Sequence, residues 1–382
     1  MPGAPPHADP RRRATGAAAL ADAPPNPTSG SRRHDVDGLR VIAIGLLIVY
    51  HAMISFTWFA PFLAFVQVTP VLEGLAPAMA LLNVWRIPIL FVISGMGVSF
   101  AARRRGWRQL LGERSRRLLV PLLFGTLTLG PLTLWIAARH YGVPYQWVPT
   151  SAHLWFLGNI FVYALAFGWI ATRTPRRGTE PGSSARDPLL VAHPAALLAL
   201  PAAMVIEVLL VRPEQFAGYA NTPHGWALGA VCFLFGLLVA RRPETFFPSL
   251  GRLRWPTLAM AFGLYLVRML GLGPVEAWWW PSLQAVESSA WIYAALGLAA
   301  TYLNRPSRQL SYLNQAVYPV YIIHLPVQSA LAYGLAKTDL PPTLGLPVLV
   351  VGVFAVSLLA YELLLRRSGA LRPLFGLRAA GR

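Results

Sequence analysis

Ten apolar segments, separated by short polar and basic stretches, run through the chain from about residue 39 to residue 365. Each has about 20 residues, the length that a helix needs to cross the hydrocarbon core of a bilayer. They cover residues 39–59, 80–101, 118–138, 153–172, 188–211, 225–240, 256–272, 284–303, 312–335 and 343–365. Several contain Pro or Gly, which bundles tolerate because neighbouring helices satisfy the freed backbone groups. The pattern predicts an all-α fold, a polytopic membrane helix bundle with about ten transmembrane helices.

The two ends of the chain differ from this apolar region. Residues 1–33 are rich in Pro, Ala, Gly and Arg and contain no apolar run of spanning length. Such a composition is typical of a disordered tail. We therefore expect a cytoplasmic N-terminal tail over residues 1–33, a membrane domain over residues 34–366 and a short basic cytoplasmic tail over residues 367–382.

The composition favours a membrane protein and argues against several other classes. Of the 382 residues, 55% are hydrophobic and 13% are charged. The net charge of +18 suggests nucleic acid, but the arginines cluster between the apolar segments, so we expect membrane lipids and no nucleic acid as partners. The single cysteine, Cys232, excludes a disulfide framework and a cysteine-based metal site, and no metal is expected. The chain lacks a G-x-x-x-x-G-K-[ST] motif, which argues against an ATP-driven pump.

The basic residues also predict an orientation. With ten spans and a cytoplasmic N-terminus, 28 of the 33 Lys and Arg residues face the cytoplasm. The exceptions are Arg86, Arg139, Arg212, Arg268 and Lys337. Because positive residues accumulate on the cytoplasmic side of membrane proteins, the pattern predicts two cytoplasmic termini and a bacterial-type inner (plasma) membrane location.

The first span carries ionisable residues on one face. Asp37, Arg40, Ile44, Leu47 and His51 follow one another at spacings of 3, 4, 3 and 4 residues, which places them on one side of a helix. Arg40 and His51 are separated by roughly 16 Å along the axis, about half of the membrane. An ionisable residue at that depth usually serves chemistry; the alternative is a histidine that a neighbouring helix satisfies.

The ninth span carries a stripe of polar residues at spacings of 3 or 4. Its members are Ser311, Asn314, Tyr318, Tyr321, His324 and Gln328. A polar stripe on a membrane helix faces the interior of the bundle or a water-filled cavity. This stripe therefore predicts a functional interior more readily than packing alone.

The second and eighth spans add further candidates. Arg86 and Ser94 lie on one side of the second span, where Gly95 and Gly97 permit close helix packing. Arg86 either extends outward to the interface or acts inside the bundle. Glu287, at the start of the eighth span, is the carboxylate most plausibly available as an interior partner.

The loop between the second and third spans, ARRRGWRQLLGERSRRLLVP, is the densest basic cluster. Lipid phosphates would bind several of its arginines. The planar guanidinium group is, however, also the side chain best suited to bind the phosphates of a ligand. Arg114 and Arg117 lie beside the third span. They are the candidates for a phosphate-binding cytoplasmic entrance.

Five short motifs, in order, make the chain similar to a known family. They are D-x-x-R followed by an intramembrane His, R-x-P-x-x-F-x-x-SG, R-x-x-R-L-x-x-P, HLWFL and YP-x-Y-x-x-H, over about residues 34–365. Together they resemble the acyltransferase 3 family of integral-membrane acyltransferases. Within that family, the chain most resembles the glucan succinyltransferase branch and related sugar O-acyltransferases.

The resemblance implies an enzyme with a ten-helix core that transfers groups other than aminoacyl groups. It would move an acetyl or succinyl group from cytoplasmic acyl-CoA to a hydroxyl of an extracytoplasmic or lipid-linked glycan. The donor, acetyl-CoA or succinyl-CoA, is a substrate, and no permanently bound cofactor is implied. The expected partners are acyl-CoA, a glycan or lipid-linked saccharide acceptor, and membrane lipids.

The resemblance also assigns residues. The essential histidine of the family corresponds to His51, its first-helix arginine to Arg40, and its loop arginines to Arg114 and Arg117. The spacing here is R-x-x-R or R-x-R rather than R-x-x-x-R, so the arginine pair that binds the donor stays open.

The chemistry of acyl transfer suits these residues. A hydroxyl needs a positioned base near neutral pH, and histidine can supply one; whether His51 acts as base or carries the acyl group stays open. The catalytic candidates are His51, Asp37, Arg40, His324 and Glu287. The candidates for binding the donor are Arg114, Arg117, Arg86, Ser94 and Tyr321. Those for stabilising the oxyanion of the thioester are Ser94, Tyr321, His324 and Arg86, without an order among them.

A transporter or flippase that moves a glycan or lipid without chemistry is the competing class. The same cavity and intramembrane polar residues would serve it. The missing nucleotide motif and the lack of an evident internal inverted repeat argue against that alternative. A membrane scaffold, the third class, would leave the polar faces of the first and ninth spans unexplained.

Overall fold

The computed structural model describes residues 33–103, 105–172, 197–272 and 277–377. The predicted N-terminal tail up to residue 32, the first part of the fifth span and the last residues of the C-terminal tail lie outside these ranges. The predictions made for those segments therefore stay predictions.

The described residues form helices and contain no strand. The α-helices are α1 (His34–Ile54), α2 (Leu75–Ala102), α3 (Trp107–Leu127), α4 (Leu129–Tyr141), α5 (Trp155–Thr172), α6 (Ala199–Val211), α7 (Pro223–Val239), α8 (Pro243–Met269), α9 (Trp280–Tyr302), α10 (Arg308–Leu335), α11 (Pro342–Ala360) and α12 (Leu371–Leu374). Short 3-10 helices cover Pro61–Leu63 and Ala152–Leu154, and a π-helical turn, Tyr361–Leu365, extends α11. The predicted all-α class is confirmed.

Each of the ten predicted spans corresponds to a helix of the described residues, except the third span, which corresponds to α3 and α4 together. Five of these helical segments are long and apolar enough to cross a membrane. There are six if α7 and α8, which are bent by 112° relative to each other, count as one broken span. The protein is thus a helical membrane bundle. The number of ten crossings stays a prediction, because the remaining helices are shorter or more polar.

Several helices extend beyond the apolar segments that predicted them. α3 begins at Trp107 rather than at 118, because its first turns contain Arg, Gln, Leu and Glu, which are good helix formers despite their polarity. α8 begins at Pro243 rather than at 256, with proline at the start, where its fixed φ suits a helix. Hydropathy identifies the membrane-embedded part of a helix and misses such polar extensions.

α2 and α7 pack at very short range through two glycines. A Cβ atom on Gly95 would overlap the carbonyl of Phe233, and one on Gly236 would overlap the carbonyl of Val92. The close approach expected at Gly95 is therefore present. Gly97 instead faces arginine side chains.

α1 and α10 run parallel with their polar residues at matching heights. Hydrogen bonds join the two helices at sequence separations of 274, 273 and 273 residues. The joined pairs are Arg40 with Asn314, His51 with His324, and Ser55 with Gln328. The polar stripe of α10 thus faces the ionisable face of α1, as a stripe directed at the bundle interior requires.

Candidate active site

Two imidazole rings meet between α1 and α10. Nδ1 of His51 lies 2.9 Å from Nε2 of His324. The rings are nearly parallel, with an angle of 13° between them. Of the two, His324 is fully buried, whereas His51 is partly exposed. Only His51 of this histidine pair is therefore open to a substrate.

The partners of His324 fix the direction of the hydrogen bond between the rings. Nδ1 of His324 lies 2.6 Å from the carbonyl oxygen of Tyr321, which can only accept. Nδ1 of His324 must therefore carry the proton, and in the neutral ring Nε2 is an acceptor. His51 then donates from Nδ1, which leaves the lone pair on its Nε2 atom. Within the described part of the chain, that Nε2 atom makes no hydrogen bond.

A third histidine holds this part of α10 in place. Proline at 326 has no N–H, so the carbonyl of Ile322, four residues earlier, lacks its helical donor. Nε2 of His153 donates to the carbonyls of Ile322 at 3.2 Å and Tyr321 at 2.9 Å. The hydroxyl of Tyr321 donates in return to the carbonyl of His153 at 2.6 Å. The HLWFL motif thus supports the backbone that positions His324.

The end of α1 near His51 is anchored from two sides. The side-chain amide of Gln328 donates to the carbonyl of His51 at 2.7 Å and to Oγ of Ser55 at 3.3 Å. Phe65, in the loop between α1 and α2, places its ring edge against the imidazole of His51. Tyr141 donates to the carbonyl of Phe65 at 2.6 Å and so holds that loop over the site.

Arg86 approaches the histidine pair from α2. Its side chain is buried, with a fractional exposure of 3%, so it does not extend outward to the interface. Its guanidinium carbon lies 3.9 Å from the ring centre of Tyr50, a cation–π contact. Nη2 of Arg86 donates to Oδ1 of Asn83 at 3.2 Å. The ring centre of Tyr50 lies 6.3 Å from that of His51, so the Tyr50 ring links Arg86 to the histidine pair.

An arginine cluster, formed by Arg40, Arg114 and Arg117, lies nearer the other end of α1. Nη2 of Arg114 donates to the carbonyl of Gly97 at 3.1 Å. A Cβ atom on Gly97 would lie 3.5 Å from Nη2 of Arg40 and 3.9 Å from Nη2 of Arg114. Both guanidinium groups therefore lie against the same glycine, and Arg117 follows Arg114 by about one turn of α3.

Polar groups of α1 and α10 orient this arginine cluster. Nη1 of Arg40 donates to Asp37 at 3.4 Å and to Asn314 at 3.3 Å. The hydroxyl of Tyr318 donates to the carbonyl of Arg117 at 2.7 Å, and the Arg117 guanidinium lies over the Tyr318 ring. Asp37 is thus a neighbour of Arg40 and lies about four turns of helix away from His51.

Three predicted site residues have their polar groups engaged with other partners. Glu287 is buried, and its two oxygens accept from Nε and Nη2 of Arg268 at 2.8 Å each. Its pairing is therefore with α8 and not with the histidine pair. Ser94 donates to the carbonyl of Leu90 in its own helix at 2.7 Å. The hydroxyl of Tyr321 is bound to His153, so Tyr321 acts here through its backbone and its contact with that histidine.

The described helices thus form an apolar bundle that holds a histidine pair between α1 and α10 and an arginine cluster nearer the start of α1. The chain belongs to the acyltransferase 3 family, whose model, described as an acyltransferase domain, matches residues 33–362. The protein is therefore an integral-membrane acyltransferase that transfers groups other than aminoacyl groups. Neither a search of curated proteins nor a search of solved structures found a match to this chain.

Proposed function

We propose that this acyltransferase moves an acyl group from cytoplasmic acyl-CoA to a hydroxyl of an extracytoplasmic or lipid-linked glycan, with His51 as general base. The observation that carries the proposal is the hydrogen-bond chain from the Tyr321 carbonyl through His324 to His51. It leaves a lone pair on Nε2 of the one imidazole of the pair that a substrate can reach. A second group that orients the base is the arrangement used in other acyl-transfer enzymes.

The proposed reaction uses that lone pair. Nε2 of His51 takes the proton from the acceptor hydroxyl as its oxygen attacks the thioester carbonyl carbon. A carbon–oxygen bond forms, the carbon–sulfur bond breaks, and the imidazolium of His51 returns the proton to the departing thiolate of CoA. Nε2 of His324 accepts the hydrogen bond from Nδ1–H of His51 throughout and so stabilises the imidazolium.

The arginine cluster supplies a docking place for the donor in this proposal. CoA carries several phosphate charges, and arginine binds phosphate through two parallel hydrogen bonds. Arg40 and His51 are separated by roughly 16 Å along α1. The pantetheine arm of CoA joins its phosphates to the thioester, so one donor molecule can contact the arginine cluster with its phosphates and His51 with its acyl group.

The proposal includes the location and substrates expected from the sequence. The arginine cluster and both termini face the cytoplasm, and His51 lies deeper, toward the other side of a bacterial-type inner membrane. The acyl group is acetyl or succinyl, and the acceptor is a cell-envelope glycan or its lipid-linked precursor. No permanently bound cofactor takes part; acyl-CoA and membrane lipids are the remaining partners.

Acyl transfer by the purified protein tests the proposal. Protein in lipid nanodiscs receives radiolabelled acetyl-CoA or succinyl-CoA together with lipid-linked saccharide extracted from bacterial membranes. We expect release of free CoA thiol and label in the saccharide fraction, and neither with empty nanodiscs. A transporter or flippase would move ligand across proteoliposomes without cleaving the thioester, and that result would overturn the proposal.

A further inference from the structure

The guanidinium of Arg86 is a buried cation that uses only part of its hydrogen-bonding capacity. Nη2 binds Asn83, but Nε and Nη1 are buried and make no hydrogen bond to any described residue. Buried donors without a partner are costly, and a native structure that contains them calls for an explanation.

No carboxylate of the described residues neutralises this cation. Two carboxylates buried in the same bundle are occupied: Glu287 binds Arg268, and Glu207 binds His224 at 3.0 Å. The Tyr50 ring covers one face of the Arg86 guanidinium. Because guanidinium N–H groups point outward in the plane of the group, a ring on its face leaves the edges with Nε and Nη1 to an incoming oxygen.

The N–H and O–H groups of the other candidates for stabilising an oxyanion already donate to acceptors within the protein. The hydroxyl of Ser94 donates within its own helix, and that of Tyr321 donates to His153. His324 donates from Nδ1 to a carbonyl and accepts at Nε2. Of the four candidates that the sequence left in no order, Arg86 alone has N–H groups without an acceptor among the described residues.

The loop between α6 and α7 holds Arg86 in this position. The hydroxyl of Tyr219 donates to the carbonyls of Asn83 and Val84, in the turn of α2 that precedes Arg86. The Tyr219 ring stacks on His224, which the Glu207 carboxylate holds in turn. The Arg86 guanidinium is thus held in place by the packing of Tyr219 and His224 around its helix turn, and not by a carboxylate of the described residues.

We propose that Arg86 is a catalytic residue that pairs with an anionic oxygen of the acyl group during transfer. This inference rests on the proposed function. Two sources supply such an oxygen: the oxyanion that forms on the thioester carbonyl of any donor, and the terminal carboxylate of a dicarboxylic acyl group. Both are oxygens of the acyl group that His51 would meet, and the Tyr50 ring under Arg86 lies 6.3 Å from the His51 ring, centre to centre.

The test compares Arg86→Met, Arg86→Lys and Arg268→Met in nanodiscs, with acetyl-CoA and succinyl-CoA as donors. If Arg86 stabilises the oxyanion, kcat of Arg86→Met falls about 100-fold with both donors, the typical loss for one oxyanion donor, while KM changes little. If it binds a carboxylate, the loss is confined to succinyl-CoA. Arg86→Lys keeps the charge and recovers part of either loss. Transfer by Arg86→Met within threefold of wild type with both donors overturns the proposal.

Thermal unfolding separates a ligand-binding role from a structural one and needs no turnover. Arg268→Met removes the partner of a buried carboxylate and is expected to lower the melting temperature clearly. Arg86→Met removes an unpaired cation and is expected to melt at or above the wild-type temperature. If Arg86→Met melts as low as Arg268→Met, Arg86 is structural and the proposal fails. If the wild type transfers neither acyl group, the proposed function fails, whereas a low melting temperature of Arg86→Met overturns this inference alone.

Discussion

Nδ1 of His51 lies 2.9 Å from Nε2 of His324, and Nδ1 of His324 lies 2.6 Å from a backbone carbonyl. Because the carbonyl only accepts, the protons of both rings are assigned in the neutral state. The pair therefore has a direction: His324 orients, and His51 presents a free lone pair. Each role makes a different prediction for substitution.

Replacing His324 tests the orienting role. His324→Ala removes one hydrogen bond to His51, worth about 1 kcal/mol, so we expect roughly a fivefold loss of kcat. His324→Gln can accept from Nδ1 of His51 through its amide oxygen and donate to Tyr321 through its nitrogen, so it should recover much of the loss. Initial rates of acyl transfer measure both. Equal rates for His324→Ala and His324→Gln would contradict an orienting hydrogen bond.

Replacing arginines of α3 tests the docking of the donor. The double variant Arg114→Ala/Arg117→Ala should weaken acyl-CoA binding by at least about tenfold, since each charged hydrogen bond contributes about 1.5–3 kcal/mol. Lysines at the same positions should restore binding only in part, because the planar fork is lost. Arg108→Ala, an exposed position of the same helix, is the matched control. Unchanged donor affinity in a folded double variant would show that these arginines serve topology or lipids.

The buried pair of His224 and Glu207 makes a prediction about stability. Nδ1 of His224 lies 3.0 Å from Oε1 of Glu207, and Nε2 of His224 donates to the carbonyl of Phe216 at 2.8 Å. His224→Ala leaves a buried carboxylate unpaired and should lower the free energy of unfolding by about 3–5 kcal/mol. His224→Ala/Glu207→Leu should be more stable than the single variant. Denaturant unfolding in detergent checks the order; a double variant that is the less stable one would contradict the prediction that Glu207 depends on His224 as its partner.

The orientation has its own test. Reporter fusions after Arg177 and after Arg242 should read cytoplasmic, and a fusion near Tyr141 should read external, because basic segments stay on the cytoplasmic side. Tyr141 ends α4, and Arg242 lies in the break between α7 and α8. An external signal at Arg177 would break the count of ten spans.

The sequence predicted the parts of the site that lie along single helices. The spacing of polar residues alone predicted that His51 shares a helix face with Arg40 and that the polar residues of α10 lie on one side of that helix. In the structure, hydrogen bonds connect these two helix faces. A spacing of 3 or 4 residues is a property of one helix, so it can be read without knowing the neighbours.

Contacts between helices were not predictable in the same way. His153 appears in the sequence only as the first residue of the HLWFL motif, and its binding to the carbonyls of Tyr321 and Ile322 depends on how α10 lies beside it. Pro326 was the available signal, because it removes the donor for one of those carbonyls. Glu207, in α6, is buried against His224 of α7, and no spacing along either helix indicates that contact.

The rate of acyl transfer by His51→Gln tests the central claim most directly. Glutamine at this position can still donate a hydrogen bond to His324, but it cannot take a proton from the acceptor hydroxyl. With the protein in nanodiscs and radiolabelled acyl-CoA as donor, we expect folded His51→Gln to lose transfer by roughly a hundredfold or more, while its affinity for acyl-CoA stays near the wild-type value. Near-normal turnover by folded His51→Gln would contradict the account, because the base would then have to be a different residue.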